Sequence, residues 1–104
     1  MSIIMVFGSR YFRRYEIFSS HMTNICKAIG KPKCVITGRM IGIDDYAQQW
    51  AYNNKIDYKV STKPEKLLNR SVILITFSNK KSIWLRNLEK KARNIGVRHF
   101  DIHI

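Results

Sequence analysis

The feature that most constrains the fold of this chain is the stretch V-I-T-G-R-M-I-G-I-D-D-Y-A in its first half. The apolar run at residues 34–36 is typical of a buried strand, and Gly38 and Gly42 bracket a tight turn that suits a positive φ or a close backbone approach. Asp44 and Asp45 then suit the positive end of a helix dipole. A strand, a glycine turn and a helix N-terminus form a backbone cradle for a phosphate or another anion. The same glycines would also serve an ordinary turn, so this stretch alone leaves both interpretations open.

Strands and helices alternate along the chain. Apolar or alternating runs predict strands at residues 2–7, 34–36, 56–60, 71–77 and 97–104. Apolar positions at helical spacing predict helices from about 13 to 29, 43 to 52 and 82 to 94, with one further turn at 65–69. The strongly apolar strands should lie centrally, and the alternating strand 56–60 nearer an edge. This order predicts a single α/β domain over residues 1–104, with a mainly parallel sheet of about five strands and helices on both faces.

The size and composition fit one small globular domain. The chain has 104 residues, and 45% of them are hydrophobic, which can fill a modest core. No apolar run approaches the roughly 20 residues that span a membrane, and the start of the chain lacks the features of a signal peptide. A cytoplasmic location is therefore expected. Cys26 and Cys34 fall in apolar stretches and are interpreted as buried free thiols, because a reducing compartment disfavours a disulfide.

The net charge narrows the classes of partner. Nineteen Lys and Arg residues against seven Asp and Glu residues give a formal charge of +12. Such a surface attracts nucleic acid, nucleotides or an acidic protein, although small lysine-rich proteins are also basic without a polyanionic ligand. The many Ile, Asn and Lys residues are typical of an AT-rich genome and fit a phage or a low-GC bacterium.

The loops that follow the predicted strands form the candidate site. Parallel sheets bind ligands beyond the carboxyl ends of their strands, where the strand order reverses. Arginine suits a phosphate because its planar fork donates two hydrogen bonds, so we expect an anion site here; solvated loop charges are the alternative. The residues concerned are Gly8, Ser9 and Arg10 after the first strand, Thr37, Gly38, Arg39 and Gly42 after the second, and Ser78, Asn79, Lys80 and Lys81 after the fourth.

Two motifs in the first half of the chain resemble the SLOG superfamily. G-S-R-x-F begins at Gly8, and T-G-x-x-x-G-x-D-x-x-A-x-x-W-A begins at Thr37. Their order is most similar to the YspA-like branch, and the resemblance extends more loosely through the fourth strand and the last helix. It implies a Rossmann-like sheet whose loops bind a nucleotide or a nucleotide-derived ligand. The ligand-binding residues that it implies are Gly8, Ser9, Arg10, Thr37, Gly38, Gly42 and Asp44.

The chain departs from this family pattern in both halves. Arg39 stands where the family has its second glycine, and Ile41 stands where it has a basic residue. The late S-x-G-T turn is replaced by S-N-K-K-S from Ser78, and the P-G-G-x-G-T-x-x-E signature of the phosphoribohydrolases is absent. Arg39 and Ser78 are kept as candidate ligand-binding residues, because the Arg39 charge can serve a phosphate. Since the catalytic signature is missing, the sequence predicts a small non-catalytic binding module without a cofactor.

Two other functions remain open on the sequence alone. A basic last helix with Trp84 among its cations is typical of a surface that follows a nucleic-acid backbone, or simply of a solvated helix face. The missing loop glycines instead favour a phage-type small protein that binds and modulates a host protein. SLOG relatives often self-associate, which leaves a homodimer open. The candidate polyanion contacts are Arg13, Arg14, Lys80, Lys81, Arg86 and Lys90.

The titratable residues predict neither a catalytic dyad nor a metal site. Asp44 and Asp45 are adjacent, so on a helix their side chains point about 100° apart. His21 falls on or beside an apolar helical face and is interpreted as structural. His99 and His103 share one face of the last strand, but two histidines without a third ligand nearby in the sequence are a weak metal signal.

Overall fold

A computed structural model describes residues 2–104 as one five-stranded sheet flanked by helices. The strands are β1 (Ile3–Gly8), β2 (Cys34–Thr37), β3 (Asp57–Val60), β4 (Val72–Ser78) and β5 (Arg98–His103). The helices are α1 (Tyr15–Ile29), α2 (Ile43–Asn53) and α3 (Ile83–Ile95), with a short 3₁₀-helix at Pro64–Lys66. The predicted α/β class is confirmed.

The sheet is parallel, and its strand order is β3-β2-β1-β4-β5. The central strand β1 pairs with β2 on one side and β4 on the other, so that Met5 lies opposite both Ile36 and Leu74. The chain first builds outward from β1 to β3 and then crosses to β4. This reversal gives a Rossmann-like arrangement with its switch point at the carboxyl ends of β1 and β4.

The two faces of the sheet bury separate apolar layers. Ile4 and Val6 pack against α1 and α2, whereas Met5 and Phe7 pack against α3. Because helices cover β1 on both faces, four successive apolar residues are fully or almost fully buried there. β3 and β5 form the two edges of the sheet, and the exposure of β3 confirms that the alternating strand lies at an edge.

Local signals in the sequence set the helix ends. Ser82 caps α3 by accepting a hydrogen bond from the backbone N–H of Leu85 at 3.1 Å. Gly96 ends the same helix in the left-handed conformation, with φ at 91°. Gly30, with φ at 83°, follows the last residue of α1. The predicted turn at 65–69 is instead a 3₁₀ turn one residue earlier, because Pro64 supplies a fixed φ at its first position.

The structure bears on the predictions for membrane-spanning helices and for the two cysteines. No helix formed by residues 2–104 combines the length and the apolar character that crossing a membrane requires. Cys26 and Cys34 are free thiols, as expected, but each is only partly buried. Burial raises the pKa of both thiols above the usual value.

Candidate functional site

Backbone contacts join the first exit loop to its neighbours on both sides. The Ser9 N–H donates to the carbonyl of Phe77 in β4 at 2.9 Å, and the Ser9 carbonyl accepts from the N–H of Ile43 at 3.1 Å. The N–H groups in the first turn of a helix have no partner within the helix, and here one of them donates to the protein's own backbone. This contact holds the loop after β1 against the start of α2.

Glycines at three positions permit this close packing. Gly42 has φ at 79°, and a Cβ there would lie 2.8 Å from the Cα of Arg10 and would collide with the Ser9 carbonyl. A Cβ on Gly8 would collide with the Phe77 carbonyl oxygen, and one on Gly38 with the Asp44 carboxyl group. The positive φ and close approach expected at this glycine turn are therefore both present at Gly42.

Asp44 is a buried carboxyl group at the junction of the first and second loops. Its residue surface is only 4% exposed. Oδ2 accepts a hydrogen bond from the Met40 N–H at 3.4 Å, while Oδ1 has no hydrogen-bond partner among residues 2–104. Burial raises the pKa of Asp44 to about 7, although the backbone N–H groups of Met40 and Gly8 oppose the shift. Near neutral pH this group therefore exchanges between a charged acceptor and a neutral donor.

A cleft of about 370 Å³ lies at the switch point. It opens between the loop after β1 and the loop after β4, where a Rossmann-like sheet binds its ligand. Arg10 stands beside this cleft, with its guanidinium donating to the Tyr11 hydroxyl at 2.7 Å and lying over the Tyr11 ring. The residues that line the cleft are Ser9, Tyr11, Phe12, Asn79, Lys80 and Ile104.

The hydroxyl groups of the predicted site have different environments. The Thr37 hydroxyl donates to the Val6 carbonyl at 2.6 Å and is fully buried, so it ties β2 to β1. Ser9 Oγ accepts from the Tyr11 N–H at 3.1 Å and shapes the first loop. Ser78 is also buried, and its Oγ has no partner within the described part of the chain. Of the three, only Ser9 lines the cleft.

The predicted polyanion contacts do not form one continuous surface. Arg13 donates to the carbonyl of Arg10 at 2.6 Å, and Arg14 pairs with Glu16 at 3.0 Å. The Lys81 ammonium turns inward and binds two carboxylates. The other five predicted contacts are exposed to solvent: Arg13, Arg14, Lys80, Arg86 and Lys90.

A polar cluster on the α3 face escaped the sequence reasoning. Glu89 is only 3% exposed and receives a hydrogen bond from the Thr76 hydroxyl at 2.8 Å. His99 and Asp101 of β5 complete the cluster with Lys81. One signal pointed to it: Glu89 falls on the apolar stripe of α3, four residues after Leu85.

Charge and burial shift the pKa values in this cluster. Burial lowers the pKa of His99, and the nearby Glu89 and Asp101 carboxylates oppose this. The hydrogen bond from Lys81 lowers the pKa of Asp101. Burial disfavours the Lys81 charge, but hydrogen bonds to Asp101 and Glu89 raise the pKa of Lys81 overall.

Two other features lie away from the switch point. His21 packs edge-on against Phe77, with 5.9 Å between the ring centroids, in keeping with a structural role. A larger and more open cleft of about 820 Å³ lies at the end of α2 and the start of β3, lined by residues that include Tyr52, Lys55 and Tyr58. The smaller cleft is the better candidate, because it lies where the strand order reverses.

Comparison with known proteins adds no relative to this description: no family model, curated protein or solved structure matches the chain. The fold and the loops therefore define its class by themselves. It is a Rossmann-like α/β protein with a cleft, lined in part by Lys80, at the carboxyl edge of its sheet.

Replacement of Gly42 by alanine should destabilise the fold more than replacement of Gly30. Both glycines have a positive φ outside the left-handed helical region, which costs alanine about 1–3 kcal/mol. Only Gly42 is also packed against backbone, while a Cβ on Gly30 would meet nothing within 4 Å. Chemical denaturation of both variants should show an additional loss at Gly42 of about 2 kcal/mol or more. Equal losses would contradict the packing described for the loops.

The buried Asp44 carboxyl should make stability depend on pH. Its pKa is higher in the folded state than its ordinary value of 3.8, so the folded chain binds more protons between about pH 4 and pH 7. The contribution of Asp44 to stability is therefore fully present below about pH 4 and is lost as the pH rises through about 7. Asp44→Asn should remove this loss and increase the free energy of unfolding at pH 8 by a few kcal/mol.

Urea denaturation between pH 4 and pH 8 measures this effect. Asp45→Asn is the matched control, because Asp45 is the exposed neighbour on the same helix. The control should keep the pH dependence of the unmodified protein. An Asp44→Asn variant that also keeps it would show that Asp44 does not hold the proton.

Proposed function

We propose that this protein binds a nucleotide or a nucleotide-derived phosphate ligand at the carboxyl edge of its sheet, without turning it over. The observation that carries the proposal is the position of the 370 Å³ cleft between the exit loops of β1 and β4. Parallel α/β sheets bind their ligands at this point in the strand order. The proposal extends the resemblance to the SLOG superfamily, which implies the same class of ligand.

The groups around the cleft suit a phosphate. Lys80 lines it with an exposed ammonium, and Arg10 stands beside it with an exposed guanidinium. Arg39 adds a third exposed cation on the neighbouring loop. Together they would provide a bidentate contact and point charges to phosphate oxygens. The Tyr11 ring, which is largely exposed in the cleft, would offer a planar surface to a base.

A protonated Asp44 is compatible with a negatively charged ligand nearby. Asp44 does not line the cleft, but it lies beside Gly8 and Gly38 in the adjoining loops, and a charged carboxylate near a bound phosphate would repel it. Because burial raises the pKa of Asp44 to about 7, a nearby anion would favour the neutral form further. Ligand binding at pH 8 should therefore be accompanied by proton uptake.

The arrangement of the acidic residues favours binding over catalysis. Asp44 is buried while Asp45 is exposed, so the two neighbours do not form an acid and base pair around one ligand. This agrees with the missing phosphoribohydrolase signature.

Calorimetry at low salt with nucleoside mono-, di- and triphosphates tests the proposal. Arg10→Ala and Lys80→Ala should each weaken binding about tenfold or more, because each removes a charged hydrogen-bond donor. Lys90→Ala is the matched control on the outer face of α3 and should change affinity less than about twofold. The proposal is wrong if no nucleotide binds, or if the Lys90 variant loses as much affinity as the Arg10 variant.

Nucleic-acid binding is the second candidate function, and the outer face of α3 favours it. Arg86 and Lys90 are exposed there, and Trp84 near the start of the helix is about half exposed. Cations with an adjacent aromatic ring can contact the backbone and stack a base.

The salt dependence of oligonucleotide binding tests this second candidate. Anisotropy titrations should show affinity that falls steeply with salt, and the combined Arg86→Ala and Lys90→Ala variant should reduce the logarithmic slope by roughly 2. Arg10→Ala, which removes no contact of this helix, should change that slope by less than about 0.5. A protein that binds no oligonucleotide at low salt excludes this candidate.

A further inference from the structure

The polar cluster beside β5 gathers three groups that ligate metals. Glu89 comes from α3, and His99 and Asp101 come from β5. One ligand atom from each of these residues lies within 4.8 Å of the other two. The cluster is on the α3 face of the sheet and shares no residue with the cleft at the switch point.

The centre of this cluster already attracts a cation. The Lys81 ammonium lies 3.0 Å from Glu89 Oε1 and 2.7 Å from Asp101 Oδ2. Glu89 is almost fully buried, and a buried carboxylate without a positive partner would be strongly destabilising. The position between the two carboxylates is therefore favourable for positive charge.

His99 provides a ligand of a different kind. Its Nε2 lies 3.2 Å from Glu89 Oε2 and 2.8 Å from the Thr76 hydroxyl oxygen. A neutral imidazole can donate a hydrogen on Nε2 to these oxygens, accept one from the Thr76 hydroxyl, or share a cation with the carboxylate. The ring nitrogen therefore faces one oxygen of Glu89, while the Lys81 ammonium faces the other.

We propose that Glu89, His99 and Asp101 bind a divalent transition-metal ion such as Zn²⁺, and that the Lys81 ammonium competes with it for the two carboxylates. Zinc accepts imidazole nitrogen and carboxylate oxygen at about 2.0–2.2 Å. Such bond lengths in a tetrahedron place ligand atoms about 3.4 Å apart, so small side-chain movements would complete the site.

The surroundings allow the exchange of the ammonium for a metal. The Lys81 side chain is 27% exposed and that of Asp101 is 50% exposed, so solvent reaches this side of the cluster and water can supply the fourth ligand. Lys81 also has a flexible stem that lets it move outward. The Thr76 hydroxyl would continue to donate its hydrogen bond to Glu89, as groups that orient metal ligands do.

Calorimetric titration of the untagged chain with Zn²⁺ tests the proposal. One Zn²⁺ should bind, and His99→Ala should weaken its affinity about tenfold or more. His103→Ala is the matched control, because His103 is an exposed residue of the same strand, and it should change affinity less than about twofold. The visible absorption of the Co²⁺ form should show a low-symmetry, near-tetrahedral site that His99→Ala loses.

The Lys81→Met variant tests whether the ammonium and the metal compete, because it removes the ammonium. Without metal, this variant leaves Glu89 without its cation, so its Tm should fall. Zn²⁺ should then bind the variant about tenfold more tightly than the original protein and should raise its Tm by a larger amount. Mg²⁺, which prefers six oxygen ligands, should not restore the Tm.

Two results would overturn the metal site. One is an unmodified protein that does not bind Zn²⁺, and the other is a His99→Ala variant that binds it as tightly as the original. Either result would leave the cluster as an ion-pair network between α3 and β5. The comparison of His99→Ala with His103→Ala decides the matter even if the Lys81 variant does not fold.

Discussion

The backbone contact between Ser9 and the first turn of α2 is the constraint on which the candidate site depends. It holds the exit of the central strand against α2, and it requires Gly42 because a Cβ would meet the backbone of Arg10. Because the N–H of Ile43 already donates to Ser9, it cannot donate to a phosphate at the start of α2. The proposed ligand position therefore lies toward β4, where the cleft opens beside Lys80.

The two buried carboxyl groups, Glu89 and Asp44, have different surroundings. Glu89 pairs with the Lys81 ammonium and accepts a hydrogen bond from the Thr76 hydroxyl. Asp44 has no such cation and instead has a pKa raised to about 7 by burial. The carboxylate with a cation beside it thus belongs to the proposed cation site, and the one whose pKa burial raises lies in the loops next to the proposed anion site.

The sequence allowed the fold to be predicted because its signals are local. The continuous apolar residues of β1 and β4 indicated buried central strands, and Ser82 and Gly96 marked the ends of α3. The candidate loops could also be named, since the carboxyl ends of parallel strands share one edge. Strand register and loop packing depend on contacts between distant residues, which no local pattern encodes.

The side-chain partners that the sequence did not reveal come from distant parts of the chain. Lys81 was interpreted as a surface cation, but its ammonium meets Asp101, which is twenty residues away. The Asp44 carboxyl was expected near a helix start, and its burial follows from the approach of Gly38. His99 gained metal-ligating neighbours from α3 instead of from His103. In each case the residue type was visible and its partner was not.

A nitrogen–proton NMR titration of the labelled protein with a nucleoside diphosphate tests the central claim most directly. Binding at the switch point should shift the amide signals of Gly8, Ser9, Arg10, Asn79 and Lys80, while the signals of the second half of α3 stay in place. Saturating nucleotide that shifts no amide of the first and fourth exit loops, or only amides of α3, would contradict a phosphate site at the carboxyl edge of the sheet.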